Sequence, residues 1–290
     1  MNAALAELAA ECRAELGEAP RWIRLGSPDT ALHFSDLLTG TVYALRGDRA
    51  VAVLDFPGET VSALIPLKDG RSVIALHRSL AVLDERGEVV ERIPLDLPAG
   101  TRLSDASAGP SGHLWFGVVP AGDQPAPGML VRLGHDGLSI QRSDIGFSNG
   151  LGFTADGTRM LHIDSATGTL WSIPHDPATG ELGTPAPLLV FPEAEGALDG
   201  LCLDELDRAW IAVFGGGEVI CVDTSGAIVS RVLVPALRAS SCVFVESTLY
   251  ITTARVDASE AELAEFTTSG SLFRYQADVA GGPVWEGHLS

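Results

Sequence analysis

The chain is most constrained by a unit that recurs along it. Short apolar strands begin at Leu32 (LHFSD), Val73 (VIALH), Leu114 (LWFGV), Met160 (MLHID), Ala209 (AWIAV) and Leu249 (LYITT). Several are followed by a second strand of similar reading: GTVYAL, GMLVRL, GTLWSI, GEVICV and GSLFRY. Turns such as PSGH, ADGT and DELDR precede several anchors. A period of about 40 to 50 residues with four short strands per unit is the signature of propeller blades, and the anchors keep that spacing. Six anchors predict an all-β, six-bladed β-propeller, with residues 1–290 forming one closed domain without a linker. A β-sandwich also has many short strands, but it gives no reason for their even spacing. Sustained helical periodicity is expected only at the extreme N-terminus and, as a short helix or an acidic loop, in DASEAELAEF, residues 257–266.

Charge narrows the partners. The 38 acidic residues against 19 basic leave a net charge of -19, which repels phosphate backbones and anionic lipid. Neither nucleic acid nor a membrane is expected as a partner; a small-molecule substrate is. No apolar run reaches the length of a bilayer span. The start, MNAALAELAAECRAEL, lacks the basic region and continuous apolar core of a signal peptide. Cys12, Cys202, Cys221 and Cys242 have no CxxC spacing and fall in apolar runs. Reduced, mostly buried thiols in a cytoplasmic protein are expected.

In a propeller, residues at equivalent positions of successive blades converge on one end of the central channel. Glu18, Ser104, Asn149, Asp199 and Ser241 each lie a short and similar distance ahead of an anchor, respectively Leu32, Leu114, Met160, Ala209 and Leu249. A polar residue thus recurs in five of the six units, and Glu18, Asn149 and Asp199 carry good oxygen donors. Two carboxylates and an amide oxygen suit one hard divalent cation such as calcium, magnesium or manganese. Asn-Gly and Asp-Gly are equally ordinary turn sequences, and Glu18 reads as well as a solvated loop residue. Spacing alone leaves both readings open.

ELGEAPRW (residues 15–22), SNGLGFTADGTRMLHIDSATGTLWSI (148–173) and LDGLCLDELDRAWIAVFGGGEVICVD (198–223) resemble the gluconolactonase/regucalcin (senescence marker protein) family. The match runs in order over nearly the whole chain, ending with GSLFRY. The resemblance implies a six-bladed propeller and hydrolysis of sugar lactones. It also implies divalent-metal ligands at the Glu of LGE, the Asn of SNG and the Asp of DG: here Glu18, Asn149 and Asp199. By the same analogy the ion (Ca, Mn, Mg or, less ideally, Zn) polarises the lactone carbonyl, and Asp199 is the catalytic residue, ligand and general base at once. In the substrate-binding segment, RLSDASAGPSG, Arg102 and Asp105 match the family. Ser104 stands where the family has Asn, and Gly109 where it has Asp, which enlarges the site and removes an amide. VVPAGDQPAPG, residues 118–128, lacks the acidic residue that some members use to hold the sugar. Arg102, Ser104 and Asp105 are therefore the expected substrate-binding residues. Two alternatives stay open: hydrolysis of an organophosphate or another lactone on the same metal site, or a non-catalytic propeller that binds calcium or a small ligand.

Competing chemistries find no support. The His residues form no HExxH or similar cluster, and His162 is expected to be structural. No GxSxG elbow is present. FGGGE, residues 214–218, reads as a hairpin turn and not as a phosphate loop. Trp22, Trp115, Trp171 and Trp210 are expected to pack between blades. Asp36 and Asp164 are expected to act as turn or blade-closing residues.

Overall fold

In the computed structural model, which describes residues 4–27, 29–122 and 126–289, the six anchors are the second strands of six sheets. They are Thr30–Asp36, Ser72–Ala75, Leu114–Pro120, Arg159–Asp164, Ala209–Phe214 and Thr248–Thr253. Each pairs antiparallel with a first strand: Gly17–Arg24, Ala63–Pro66, Thr101–Ala108, Ser148–Phe153, Ala197–Leu203 and Ala239–Val245. These first strands contact one another in cyclic order, the sixth returning to the first, so they ring a central channel. This is the six-bladed propeller that the repeat predicts. Apolar side chains fill the space between neighbouring blades, with Trp115, Phe116, Phe34 and Phe273 among the largest that are fully buried.

The ring is closed by the N-terminus, and here the expected helix is replaced by strand. Glu7–Ala10 pairs antiparallel with Leu272–Gln276 as the outer strand of the sixth sheet, and Ala4–Leu5 pairs parallel with Ile228–Leu233 of the fifth. Ala and Leu are good helix formers, but tertiary context overrides propensity: two open sheet edges offer backbone partners, and Ala6, Ala9 and Ala10 become buried there. Residues 257–266 do contain a helix, Glu260–Glu265, started by a capping box between Ser259 and Glu262. No helix among the described residues is long and apolar enough to cross a membrane.

Trp115 and Trp210 are buried as expected, and Trp171 is half-buried, but Trp22 is 43% exposed. Strand alternation explains the exception, because Ile23 takes the buried face beside it. All four cysteines are free thiols; Cys221 and Cys242 are buried, and Cys12 and Cys202 are half-buried. At the end of the ring lined by Arg21, Leu203 and Trp285, the C-terminal segment crosses between blades. It is tied down by Gly282 N–H to Leu203 O (3.0 Å), Gly287 N–H to Pro66 O (2.8 Å) and His288 N–H to Gly112 O (2.8 Å).

Candidate active site

The first strands break their register at matching heights. The shifts fall between Glu18 and Arg21, Leu103 and Ala106, Ser148 and Leu151, Leu198 and Leu201, and Ala239 and Ser241. The first strand of the second blade, the one unit without a recurring polar residue, pairs regularly. In a regular strand, neighbouring side chains point to opposite faces; a bulge breaks that alternation and re-aims a side chain. Glu18, Ser104, Asp105, Asn149 and Asp199 all stand within or beside these irregularities. In the first blade the irregularity puts Ala19 in the left-handed region at φ 49°.

SNG and DG are consequently strand segments, not turns. Asn149–Gly150 lies inside Ser148–Phe153, and Asp199–Gly200 inside Ala197–Leu203. Gly150 is needed for close approach: a Cβ there would sit 2.6 Å from the Asp199 carbonyl oxygen and 2.7 Å from the Leu201 amide nitrogen. At Gly200 a Cβ would collide with Ser241. The expected hairpins at ADGT and FGGGE do form, with positive φ at Gly157, Gly215 and Gly217. Asp36 and Asp164 organise the loops that enter two first strands. The Asp36 carboxylate accepts the Glu15 and Leu16 amides at 2.9 and 3.1 Å, and Asp164 accepts those of Gly146 and Phe147 at 3.2 and 2.9 Å. These bonds set the backbone just ahead of Glu18 and Asn149.

All six residues singled out from the sequence (Glu18, Arg102, Ser104, Asp105, Asn149 and Asp199) line one cavity of about 280 Å³. That volume suits a small molecule. Its wall also includes residues that a motif search does not find. Leu38, Ser165, Phe214 and Val256 come from loops or ends that follow second strands, and Phe147 precedes a first strand. Apolar residues in loops carry no periodic signal, so only the closed ring reveals them. Of residues 118–128, Asp123, Gln124 and Pro125 lie outside the described residues, and none of the others lines the cavity.

Electrostatically the cavity holds more negative charge than it compensates. Glu18, Asp105 and Asp199 are all buried. Burial, with the Asp199 and Asp105 charges nearby, pushes the Glu18 carboxyl well above its ordinary range. Burial likewise pushes Asp199 up to about 8, with the Asn149 amide pulling it down, Asp105 pushing it up and Arg102 opposing. Asp105 is raised by burial and drawn back by Arg21, whose guanidinium is 3.8 Å away. Neither Glu18 nor Asp199 has an ion-pair partner among the described residues.

Two buried carboxylates that make no salt bridge, beside the Asn149 side-chain amide, are a donor set that a hard divalent cation fits. No group of three or more His, Cys, Asp or Glu side chains is gathered for a metal among the described residues. The third side chain of the expected ligand set, Asn149, lines the same cavity. His162 is remote in role: its Nε2 meets the Ser148 Oγ at 2.8 Å, and burial holds the ring neutral, with its pKa lowered to about 3.

Residues 16–255 match the family model for the SMP-30/Gluconolactonase/LRE-like region. The chain is 30% identical to the pentonolactonase XacC of Haloferax volcanii, over 94% of each chain. It is 29% identical to a 6-deoxy-6-sulfogluconolactonase of Pseudomonas putida, over 92% of each chain. The crystal structure of a calcium-binding protein, regucalcin, from Agrobacterium tumefaciens shares the fold with a TM-score of 0.87 at 23% identity, covering 100% of both chains.

Proposed function

The chain belongs to the SMP-30/Gluconolactonase/LRE-like family, and from that footing we propose that it is a metal-dependent lactonase that opens a sugar lactone or a close chemical relative. The observation that carries this reading is the convergence of Glu18, Asn149 and Asp199 on one small cavity, with both carboxylates buried and neither in a salt bridge among the described residues. The lactonase names of the relatives support the reaction class.

Glu18, Asn149 and Asp199 would hold the cation. When bound, a divalent ion supplies Lewis acidity at a carbonyl oxygen and offsets the charge that builds there. Calcium, manganese, magnesium and, less ideally, zinc are compatible with the all-oxygen donor set.

The remaining work falls to the chain itself. Asp199 accepts a proton from water as that water attacks the lactone carbonyl carbon. A carbon–oxygen bond forms to the water, and the bond from the carbonyl carbon to the ring oxygen breaks. The ring oxygen takes the proton back from Asp199, and a hydroxy acid leaves. Arg102, half-buried beside Glu18 and Asp199, supplies positive charge to orient the ester and to stabilise the carboxylate product. Closure of the opposite end of the channel by the C-terminal segment supports a single entrance to the cavity.

The test is acid release from a lactone panel, with and without chelator, for wild type and Asp199→Ala. Turnover that is lost on chelation, restored by a divalent ion and absent in the variant supports the proposal. Turnover that survives both perturbations removes the metal mechanism, and no turnover of any lactone with any divalent ion removes the enzyme assignment.

A further inference from the structure

The cavity has few polar groups left to greet a sugar. Three serines line it, and each has its only hydroxyl proton committed to a backbone carbonyl. Ser62 donates to Ala75 O at 3.3 Å, Ser104 to Ser148 O at 2.7 Å and Ser165 to Leu198 O at 2.6 Å. The Asp105 carboxylate already accepts the Ala106 amide at 2.7 Å and faces Arg21 at 3.8 Å. Arg102 spends one donor on Leu103 O at 2.8 Å. If Glu18, Asn149 and Asp199 hold the cation, Arg102 keeps the main uncommitted donors for a substrate.

Asp257 stands exposed at the edge of the cavity, and most of the rest of the wall is hydrocarbon. Leu16, Leu38, Phe147, Phe214 and Val256 line the same cavity, and Leu38 is 45% exposed. The Arg238 guanidinium lies 5.9 Å from the Phe214 ring centroid, a contact that steadies the ring at the mouth. A polyhydroxylated lactone entering this cavity gives up water at each hydroxyl and regains few hydrogen bonds, costing on the order of tenfold in affinity per stranded group. A methylene laid against these side chains gains about fourfold.

We propose that the preferred substrate is a hydroxyl-poor lactone, deoxygenated or alkyl-substituted on the edge that lies against Leu38, Phe147 and Phe214. The inference rests on the lactonase reading and narrows it to a substrate class. The chemistry is unchanged: water adds across the ring ester, and a hydroxy acid with an apolar tail leaves.

The experiment compares kcat/KM for racemic γ-octalactone, D-fucono-1,4-lactone and D-galactono-1,4-lactone, using the full chain with added manganese or calcium. Fuconolactone is the 6-deoxy counterpart of galactonolactone, so that pair isolates one hydroxyl. The expected order is octalactone, then fuconolactone, then galactonolactone, with the two ends separated by at least tenfold. Leu38→Ser, at an exposed position that leaves the fold intact, lowers the octalactone-to-galactonolactone ratio at least threefold through a raised octalactone KM. Galactonolactone hydrolysed as well as or better than octalactone overturns this inference while leaving the lactonase assignment standing. An unchanged ratio in Leu38→Ser overturns the assigned apolar edge. Failure to open any lactone overturns the lactonase reading, and this inference with it.

Discussion

Gly150→Ala tests how the site is built without touching a donor atom. The added Cβ would lie 2.6 Å from the Asp199 carbonyl oxygen and 2.7 Å from the Leu201 amide nitrogen, against about 3.4 Å for ordinary contact. Both obstacles are backbone, so no side chain can swing aside, and the first strand of the fifth blade has to retreat by roughly 0.8 Å. Overpacking of this kind costs about 1–3 kcal/mol. With an unfolding entropy near 0.6 kcal/mol per degree for 290 residues, the upper figure lowers Tm by about 5 °C. The same retreat carries Asp199 away from Asn149. A displacement approaching 1 Å costs about 100-fold in rate, so kcat/KM should fall much further than stability does. Calorimetry, metal titration and lactone hydrolysis on the same preparation read all three effects. Gly152→Ala is the control: its Cβ meets only the Leu203 and Leu201 Cδ1 atoms, at 2.6 and 3.1 Å, and these side-chain ends can rotate. A Gly150→Ala protein with Tm within 1 °C and activity within twofold of wild type would refute the close-approach argument.

Asp199→Asn should abolish turnover and the metal-induced rise in Tm. In chelator it should be at least as stable as wild type, because it removes a buried carboxylate that makes no salt bridge among the described residues. The sign with pH follows from the raised pKa. Asp199 ionises near 3.8 unfolded but near 8 folded, so the metal-free fold loses stability as pH climbs from about 4 to 8, and thermal melts of the variant should show a shallower decline. Arg21→Leu strands the buried Asp105 carboxylate and should cost about 3 kcal/mol, most of it recovered in the double variant with Asp105→Asn; urea unfolding of all four proteins measures the coupling. Deleting residues 1–10 strips the outer strand from the sixth sheet and bares the Leu272–Gln276 edge, so Tm should fall by more than about 5 °C and light scattering should rise on heating.

The site is partly legible in the sequence because its residues recur at blade spacing. Glu18, Ser104, Asn149 and Asp199 stand at similar distances ahead of their anchors, and the resemblance adds Arg102 and Asp105. Local rules misread the reason for two of them. Asn149–Gly150 and Asp199–Gly200 look like turn dipeptides, yet both are strand. Gly150 is required by the Asp199 backbone, one blade further along the chain, and no local propensity reports such a neighbour. The N-terminal residues fail for a related reason: their strand partners belong to Leu272–Gln276 and Ile228–Leu233, near the other end of the chain.

The sequence by itself determined the blade, its number and its order, because alternation along a strand and glycine at a tight turn are properties of neighbouring residues. It also determined the donor types that face the channel. Only the tertiary structure decided what those donors are free to do. Closing the ring brought Glu18 and Asp199 together with no salt bridge to either among the described residues, turned Arg21 to Asp105, and spent the hydroxyl protons of Ser62, Ser104 and Ser165 on backbone carbonyls. Each of these depends on atoms that meet across blades, where distance along the chain carries no information about distance in space.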